Sequence, residues 1–317
     1  MTLLSQSFFL THGTAPVQYI SEPMFHAFGV ELAIKREDML HPVVSGNKWR
    51  KLKYNMLEAR KQGYKTLLSF GGAYSNHIHA LAGVGRELDV TTIGLIRGES
   101  FANDNPTLSY ARHCGMQLYF VDRATYRRRH EPDYIEELMQ RFGPCYLLPE
   151  GGSNLLAVKG VAELWQEVSE PFDYVAVAAG TGATAAGVIS GAPLATEIRV
   201  FAVLKGAGFL RNEISGYLDE MGYTTPWRLH DNYHFGAYAR ISPQLVAFMD
   251  RFEALHQIPL DPVYTAKMLY GVYDQIRQGA IPPGSRVLAI HTGGLQGRHG
   301  METRMQSLRT HKEYAYE

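Results

Sequence analysis

Residues 174–187 read YVAVAAGTGATAAG, a six-residue apolar run, then Gly180-Thr181-Gly182, then a stretch of small residues. A short continuous apolar run suits a strand covered on both faces, as in a parallel sheet. The pattern recurs at residues 66–70 (TLLSF, into Gly71-Gly72), 91–95 (TTIGL), 145–148 (CYLL, into Pro149-Glu150-Gly151-Gly152), 199–204 (RVFAVL, into Lys205-Gly206) and 286–290 (RVLAI, into His291-Thr292-Gly293-Gly294). Helical spacing lies between these runs: Leu52, Met56, Leu57 and Ala59 share one face of residues 47–62, and 108–114, 134–142, 155–168 and 266–278 also read as helices. Strands alternating with helices predict right-handed crossovers and an α/β fold. Ligands in such folds sit at the carboxyl ends of the strands, where these glycine clusters fall.

Composition narrows the classes. A chain of 317 residues accommodates two modest domains or one large one. The formal charge is zero, against a broad nucleic-acid footprint. The basic run Arg127-Arg128-Arg129-His130 is followed by Glu131, Asp133, Glu136 and Glu137, and reads as a solvated helix end. Cys114 and Cys145 form no Cys-x-x-Cys pair and no disulfide framework, which fits a reducing, cytoplasmic setting. Residues 1–18 lack a charged start followed by an apolar run, so no leader is expected, and no window is long enough to cross a bilayer.

Four clusters carry candidate chemistry. In Ser45-Gly46-Asn47-Lys48-Trp49-Arg50-Lys51-Leu52, Lys48 falls in a first helical turn, where the helix dipole and the neighbouring cations favour an unprotonated amine. Lys51 is one turn on, so both amines can face one pocket. Alone, this stretch reads more readily as a solvated basic helix start. In Ser69–His77, two glycines follow a strand and Ser75 and Asn76 open a helix whose free N–H groups suit a carboxylate. An ordinary strand–loop–helix cap would look the same. His77 and His79 are spaced i, i+2 and do not share a helix face, so no metal site is expected. Gly180, Thr181, Gly182, Ala183 and Thr184 make a phosphate cradle. The pattern is neither a Walker loop nor a dinucleotide fingerprint, which disfavours a nucleotide enzyme. Asp261-Pro262-Val263-Tyr264-Thr265 and His291-Thr292-Gly293-Gly294 supply a phenol and two hydroxyls, or simply turn and cap residues. Together the clusters suit an aldehyde cofactor with a phosphate tail and an amino-acid carboxylate.

These blocks resemble the 1-aminocyclopropane-1-carboxylate (ACC) deaminases and D-cysteine desulfhydrases, enzymes of the tryptophan-synthase-β-like (type II) pyridoxal-phosphate (PLP) fold. Seven ordered blocks between Thr14 and Gly294 carry the likeness: Lys35-Arg36-Glu37-Asp38, Gly46-Asn47-Lys48-x-Arg50-Lys51-Leu52, Gly71-Gly72-x-x-Ser75-Asn76-His77, Gly151-Gly152-Ser153-Asn154, Gly180-x-Gly182, residues 261–265 and residues 291–294. The resemblance implies two domains, each a twisted, mostly parallel sheet flanked by helices: a small one at 50–155 and a large, PLP-binding one from 1–49 and 156–317. It implies a homodimer acting on a small amino acid, with PLP in the cleft.

The resemblance also implies roles. Lys48 looks like the Schiff-base lysine. Lys51 and the backbone of Gly180–Thr184 meet the cofactor phosphate, and Asn76 its 3-hydroxyl. Ser75, Asn76 and His77 form the substrate-carboxylate site, with Ser75 and Tyr264 as acid–base groups. Tyr238 falls at a second tyrosine position. ACC deaminases have Glu where Thr265 stands and Leu where Thr292 stands, whereas desulfhydrases have small hydroxyl residues at both. The sequence therefore resembles the desulfhydrase side, with D-cysteine going to pyruvate, ammonia and hydrogen sulfide. Tyr74 stands where Gln is usual, at the substrate pocket, and the segment between Gly206 and Tyr238 is short. The alternatives are ACC deamination, a PLP lyase or racemase acting on another small hydroxy-amino acid, and a PLP- or amino-acid-binding protein without turnover.

Overall fold

The computed structural model describes residues 8–9, 14–98 and 105–310; part of the N-terminal stretch read for a leader lies outside them. Its strands are β1 (Val17–Ile20), β2 (Glu31–Lys35), β3 (Thr66–Gly72), β4 (Thr91–Arg97), β5 (Gln117–Val121), β6 (Tyr146–Leu148), β7 (Tyr174–Ala179), β8 (Glu197–Ala202), β9 (Trp227–His230) and β10 (Arg286–Ile290). They form two sheets, ordered β1-β2-β10-β7-β8-β9 and β5-β4-β3-β6. Every described pairing is parallel except β1 with β2. This is the expected α/β architecture. All four strands of the smaller sheet fall between residues 66 and 148.

The alternation along β7 shows why its sequence is continuously apolar. Val175 and Val177 enter one buried cluster, with Leu210 and Ile214. Ala176 and Ala178 enter another on the opposite face, with Leu269 and Met268. A strand with helices on both faces has no solvent side to mark with polar residues.

The helices that matter for the site are α1 (Asn47–Lys61), α2 (Asn76–Leu88), α3 (Leu155–Ala162), α4 (Ala183–Gly191) and α5 (Thr265–Arg277). α1 runs without interruption across residues 49 and 50, so the boundary expected there cuts a helix. α1, α3 and α4 stack through glycines. A Cβ on Gly160 would overlap the carbonyl oxygen of Arg50, and one on Gly187 would lie 2.5 Å from Val161. Their close approach brings the starts of α1 and α4 together.

Two of the expected elements end early. The helix expected over 155–168 ends at Ala162 and continues as a 3-10 segment, Glu163–Glu167. Tertiary bonds favour the tighter turn there: Glu163 receives Lys53 (2.6 Å), Glu167 receives Lys35 (2.6 Å) and Arg50, and the Trp165 indole donates to the Val188 carbonyl (2.8 Å). The strand expected to reach residue 204 ends at Ala202, because the Val203 carbonyl turns to the ammonium of Lys267 (3.2 Å).

Candidate active site

α1 begins against the end of β10. Gly46 adopts φ +65°, and any Cβ there would overlap the carbonyl of Thr292, which also accepts the Asn47 N–H at 3.2 Å. Only glycine meets both demands. Lys48, in the first turn, is half-buried, and its amine donates to Asn47 Oδ1 (2.9 Å). Burial pulls that amine down to about 8, partly opposed by the charge of Asp261. Lys51, one turn on, is 1% exposed and held well below its ordinary range, by burial first and by Lys48 second.

Two hydrogen-bond chains tie these lysines to the loop after β7. Lys51 Nζ donates to Ser153 Oγ (3.0 Å), which bonds Thr181 Oγ1 (2.7 Å). Asn47 Nδ2 donates to Thr184 Oγ1 (2.9 Å). Gly182 takes φ +83°, and α4 starts at the next residue; the Ala183 N–H donates to the Thr181 carbonyl (3.1 Å), and the N–H groups of Thr184 and Ala185 in the first turn are the ones placed to meet an anion.

Tyr264 rests on this loop, since a Cβ on Gly180 would lie 3.2 Å from its ring. Its hydroxyl lies 2.9 Å from that of Tyr238, with the two rings edge to face. Burial, reinforced by Tyr238, pushes the Tyr264 hydroxyl well above 10, so it stays a neutral phenol. The Thr265 hydroxyl accepts the Asp261 N–H (2.9 Å) and donates to the Asp261 carbonyl (3.2 Å); it is fully buried. The Asp261 carboxylate accepts N–H groups of Val263 (2.7 Å) and Tyr264 (3.1 Å), and burial raises it to about 6.

Across the cleft, Ser75 caps α2 by accepting the Ile78 N–H (3.3 Å). Asn76 Oδ1 accepts from the Gln296 side chain. The missing Cβ of Gly294 leaves room for Asn76 Nδ2 and Asp261 Oδ2, which both lie within 3.2 Å of where it would be. The His77 imidazole turns inward: its Nε2 meets Ser69 Oγ at 2.8 Å and its Nδ1, against Gly152, has no partner among the described residues. The Ser69 hydroxyl donates to the Leu148 carbonyl, so His77 carries its proton on Nε2. What His77 offers an anion in the cleft is its backbone N–H at the start of α2, not its ring. Tyr74 is 52% exposed and its ring lies over Gly300, at the rim. Thr292 is buried at the end of β10.

The arrangement thus joins a buried amine of lowered basicity to an anion cradle and a second helix start. An aldehyde cofactor with a phosphate tail fits this set, because the amine and the cradle are linked through one layer of side chains. The family model for pyridoxal-phosphate dependent enzymes matches residues 9–293. The chain belongs to that family. Within this PLP-dependent family, a Thermotoga maritima protein provisionally named 1-aminocyclopropane-1-carboxylate deaminase is 32% identical, over 92% of this chain and 96% of its own. The Arabidopsis thaliana bifunctional D-cysteine desulfhydrase/1-aminocyclopropane-1-carboxylate deaminase, mitochondrial, is 29% identical over 96% and 82%. The crystal structure of an ACC deaminase homologue superposes with a TM-score of 0.81 at 26% identity, covering 97% of this chain and all of that one. The protein is therefore a PLP enzyme of the ACC deaminase and D-cysteine desulfhydrase group.

Four residues of this PLP site were not singled out by sequence. Asn47, Ser153 and Asp261 lie inside blocks that were, and their roles appear only once partners from distant segments are in place. Gln296 lies beyond the last block and carries no sequence signal. Among the described residues no group of His, Cys, Asp or Glu could hold a metal ion, and no helix is long and apolar enough to cross a membrane.

Proposed function

We propose that this enzyme eliminates the β-substituent of a small D-amino acid, with D-cysteine and water giving pyruvate, ammonia and hydrogen sulfide. The observation that carries the choice over ACC is Thr265. In the ACC deaminases that the sequence resembles, this position holds a carboxylate. Here it holds a hydroxyl already committed to the Asp261 backbone. A site without that carboxylate suits a substrate whose thiol leaves readily better than one whose cyclopropane ring must be opened.

Lys48 would hold the cofactor aldehyde. Lys51, through Ser153, and the amides of residues 180–184 would hold its phosphate. Asn76 would meet its 3-hydroxyl, and Thr292 is the hydroxyl left for its ring nitrogen. Bound there, PLP supplies an electron sink that acidifies the α-carbon of an attached amino acid. The first-turn N–H groups of α2, with Ser75, orient the substrate carboxylate. The Lys48 amine, lowered by burial, takes the α-proton. The neutral Tyr264 phenol, steadied by Tyr238, gives a proton to the departing sulfur. Tyr74 lines the substrate entrance.

We extend the proposal to a two-domain chain divided at 50–155 that works as a cytoplasmic homodimer. The smaller sheet's confinement to residues 66–148 and the two free cysteines support the division and the reducing compartment.

The test is a product assay on the holoenzyme with D-cysteine, L-cysteine, D-serine and ACC. Pyruvate and sulfide from D-cysteine at the highest kcat/KM support the proposal. 2-Oxobutyrate from ACC as the main product overturns it, and pyruvate from D-serine alone shifts it to a hydroxy-amino-acid lyase. No product from any substrate leaves a binding protein.

A further inference from the structure

Lys267 lies in the first turn of α5, three residues beyond Tyr264, the residue that leads into the helix. Lys267 is 1% exposed, and among the described residues no carboxylate bonds it. Its ammonium instead donates to three backbone carbonyls: Val203 (3.2 Å), just past β8, and His234 (2.9 Å) and Ala237 (3.0 Å) in the segment that carries Tyr238. Three acceptors match the three N–H donors of an ammonium.

The clamped segment does not hold its shape by local preference. Phe235 and Ala239 both adopt φ +54°, a conformation that side chains with a Cβ rarely take, and Gly236 takes φ +98°. Two left-handed non-glycine residues within five positions persist only where surroundings over-determine them. Lys267 supplies that determination on one side of Tyr238, and the Tyr264 hydroxyl meets Tyr238 on the other (2.9 Å).

We propose that Lys267 is a positioning residue for catalysis: by clamping the carbonyls of His234 and Ala237 to the end of β8, it holds Tyr238 where its hydroxyl orients the Tyr264 phenol. The proposal rests on the acid–base reading of Tyr264 given above.

The experiment is a double-mutant cycle on the PLP-loaded enzyme with Lys267→Met, Tyr238→Phe and both together. It uses whichever amino acid the wild type turns over, and is read by kcat, by the visible spectrum of the bound cofactor and by amide hydrogen exchange over residues 233–240. Each single variant is expected to lower kcat roughly tenfold, the scale of one lost hydrogen bond to a reacting group. The double variant is expected to be no slower than either, because both changes break one linkage. The cofactor spectrum stays unchanged, and exchange over 233–240 accelerates in Lys267→Met. Lys267→Gln, which keeps two donors, falls between; it serves alone in the cycle if the Met variant does not fold.

Multiplicative losses in the double variant overturn the clamp, as does a Lys267 variant with faster exchange but wild-type kcat. A silent Tyr238→Phe overturns it too, whereas a Tyr264→Phe enzyme with wild-type kcat strikes the acid–base reading, so the two failures are distinguishable.

Discussion

The hydroxyls of Tyr264 and Tyr238 lie 2.9 Å apart although 26 residues separate them in the chain. One phenol is at the start of α5 and the other is on an irregular segment whose carbonyls Lys267 holds. With burial keeping the Tyr264 proton in place, the pair is a proton donor with a built-in support. Tyr264→Phe should lower kcat by about 10²–10⁴, the contribution of a positioned general acid. Cofactor binding should survive, as measured by the visible band and by titration of apoenzyme. A Tyr264→Phe enzyme with wild-type kcat would remove Tyr264 from the chemistry.

Lys48 carries a stability cost that the apoenzyme reveals. Its folded value of about 8 lies below the ordinary 10.5. Below pH 8 the amine is protonated in both folded and unfolded chains, and the folded state bears the full cost of burying the charge. Between pH 8 and 10.5 the folded protein loses the proton first, and above 10.5 the cost is gone. Lys48→Met should therefore stabilise the apoenzyme by about 2–3 kcal/mol at pH 7, an advantage that disappears above pH 10.5. Denaturant melts of both apoproteins across that range check it.

Ser153 joins the Lys51 amine to Thr181. Ser153→Ala should raise the dissociation constant for PLP about tenfold, the equivalent of one charge-assisted hydrogen bond. At saturating cofactor kcat should stay within about twofold of wild type. Absorbance titration of the apoenzyme measures the first and steady-state kinetics the second.

Thr265 and Thr292 should separate cleanly. Thr265→Val leaves the buried Asp261 N–H without its acceptor and should cost about 1–3 kcal/mol of stability. Thr292→Val, if its hydroxyl serves the ring nitrogen, should move the pH dependence of the cofactor band and leave the melting temperature nearly unchanged. Calorimetry and spectra on both variants make the comparison.

The glycine-terminated strands were legible because burial on both faces writes itself as an apolar run, as in β7 and β10. β2 was not: Lys35 sits in it with its amine on Glu167, and a charge-bearing strand looks like a loop until its distant partner is known. β1 and β9 are short sheet edges with little pattern to read. The lysines and the cradle were legible as chemistry at strand ends and helix starts. The inward turn of His77 was not, because sequence places a residue on a helix without saying which neighbour its ring prefers. Gln296 meets Asn76 across 220 residues, a pairing that only the assembled cleft creates.

Lys48, Lys51 and Lys267 are all lysines close to this cleft, and only one of them can hold the cofactor. Borohydride reduction of the PLP-loaded enzyme, followed by peptide mass mapping, identifies the pyridoxyl-bearing residue. Label on Lys48, with loss of the visible band and of activity, is the predicted result. Label on Lys51 or Lys267 with Lys48 unmodified would contradict it.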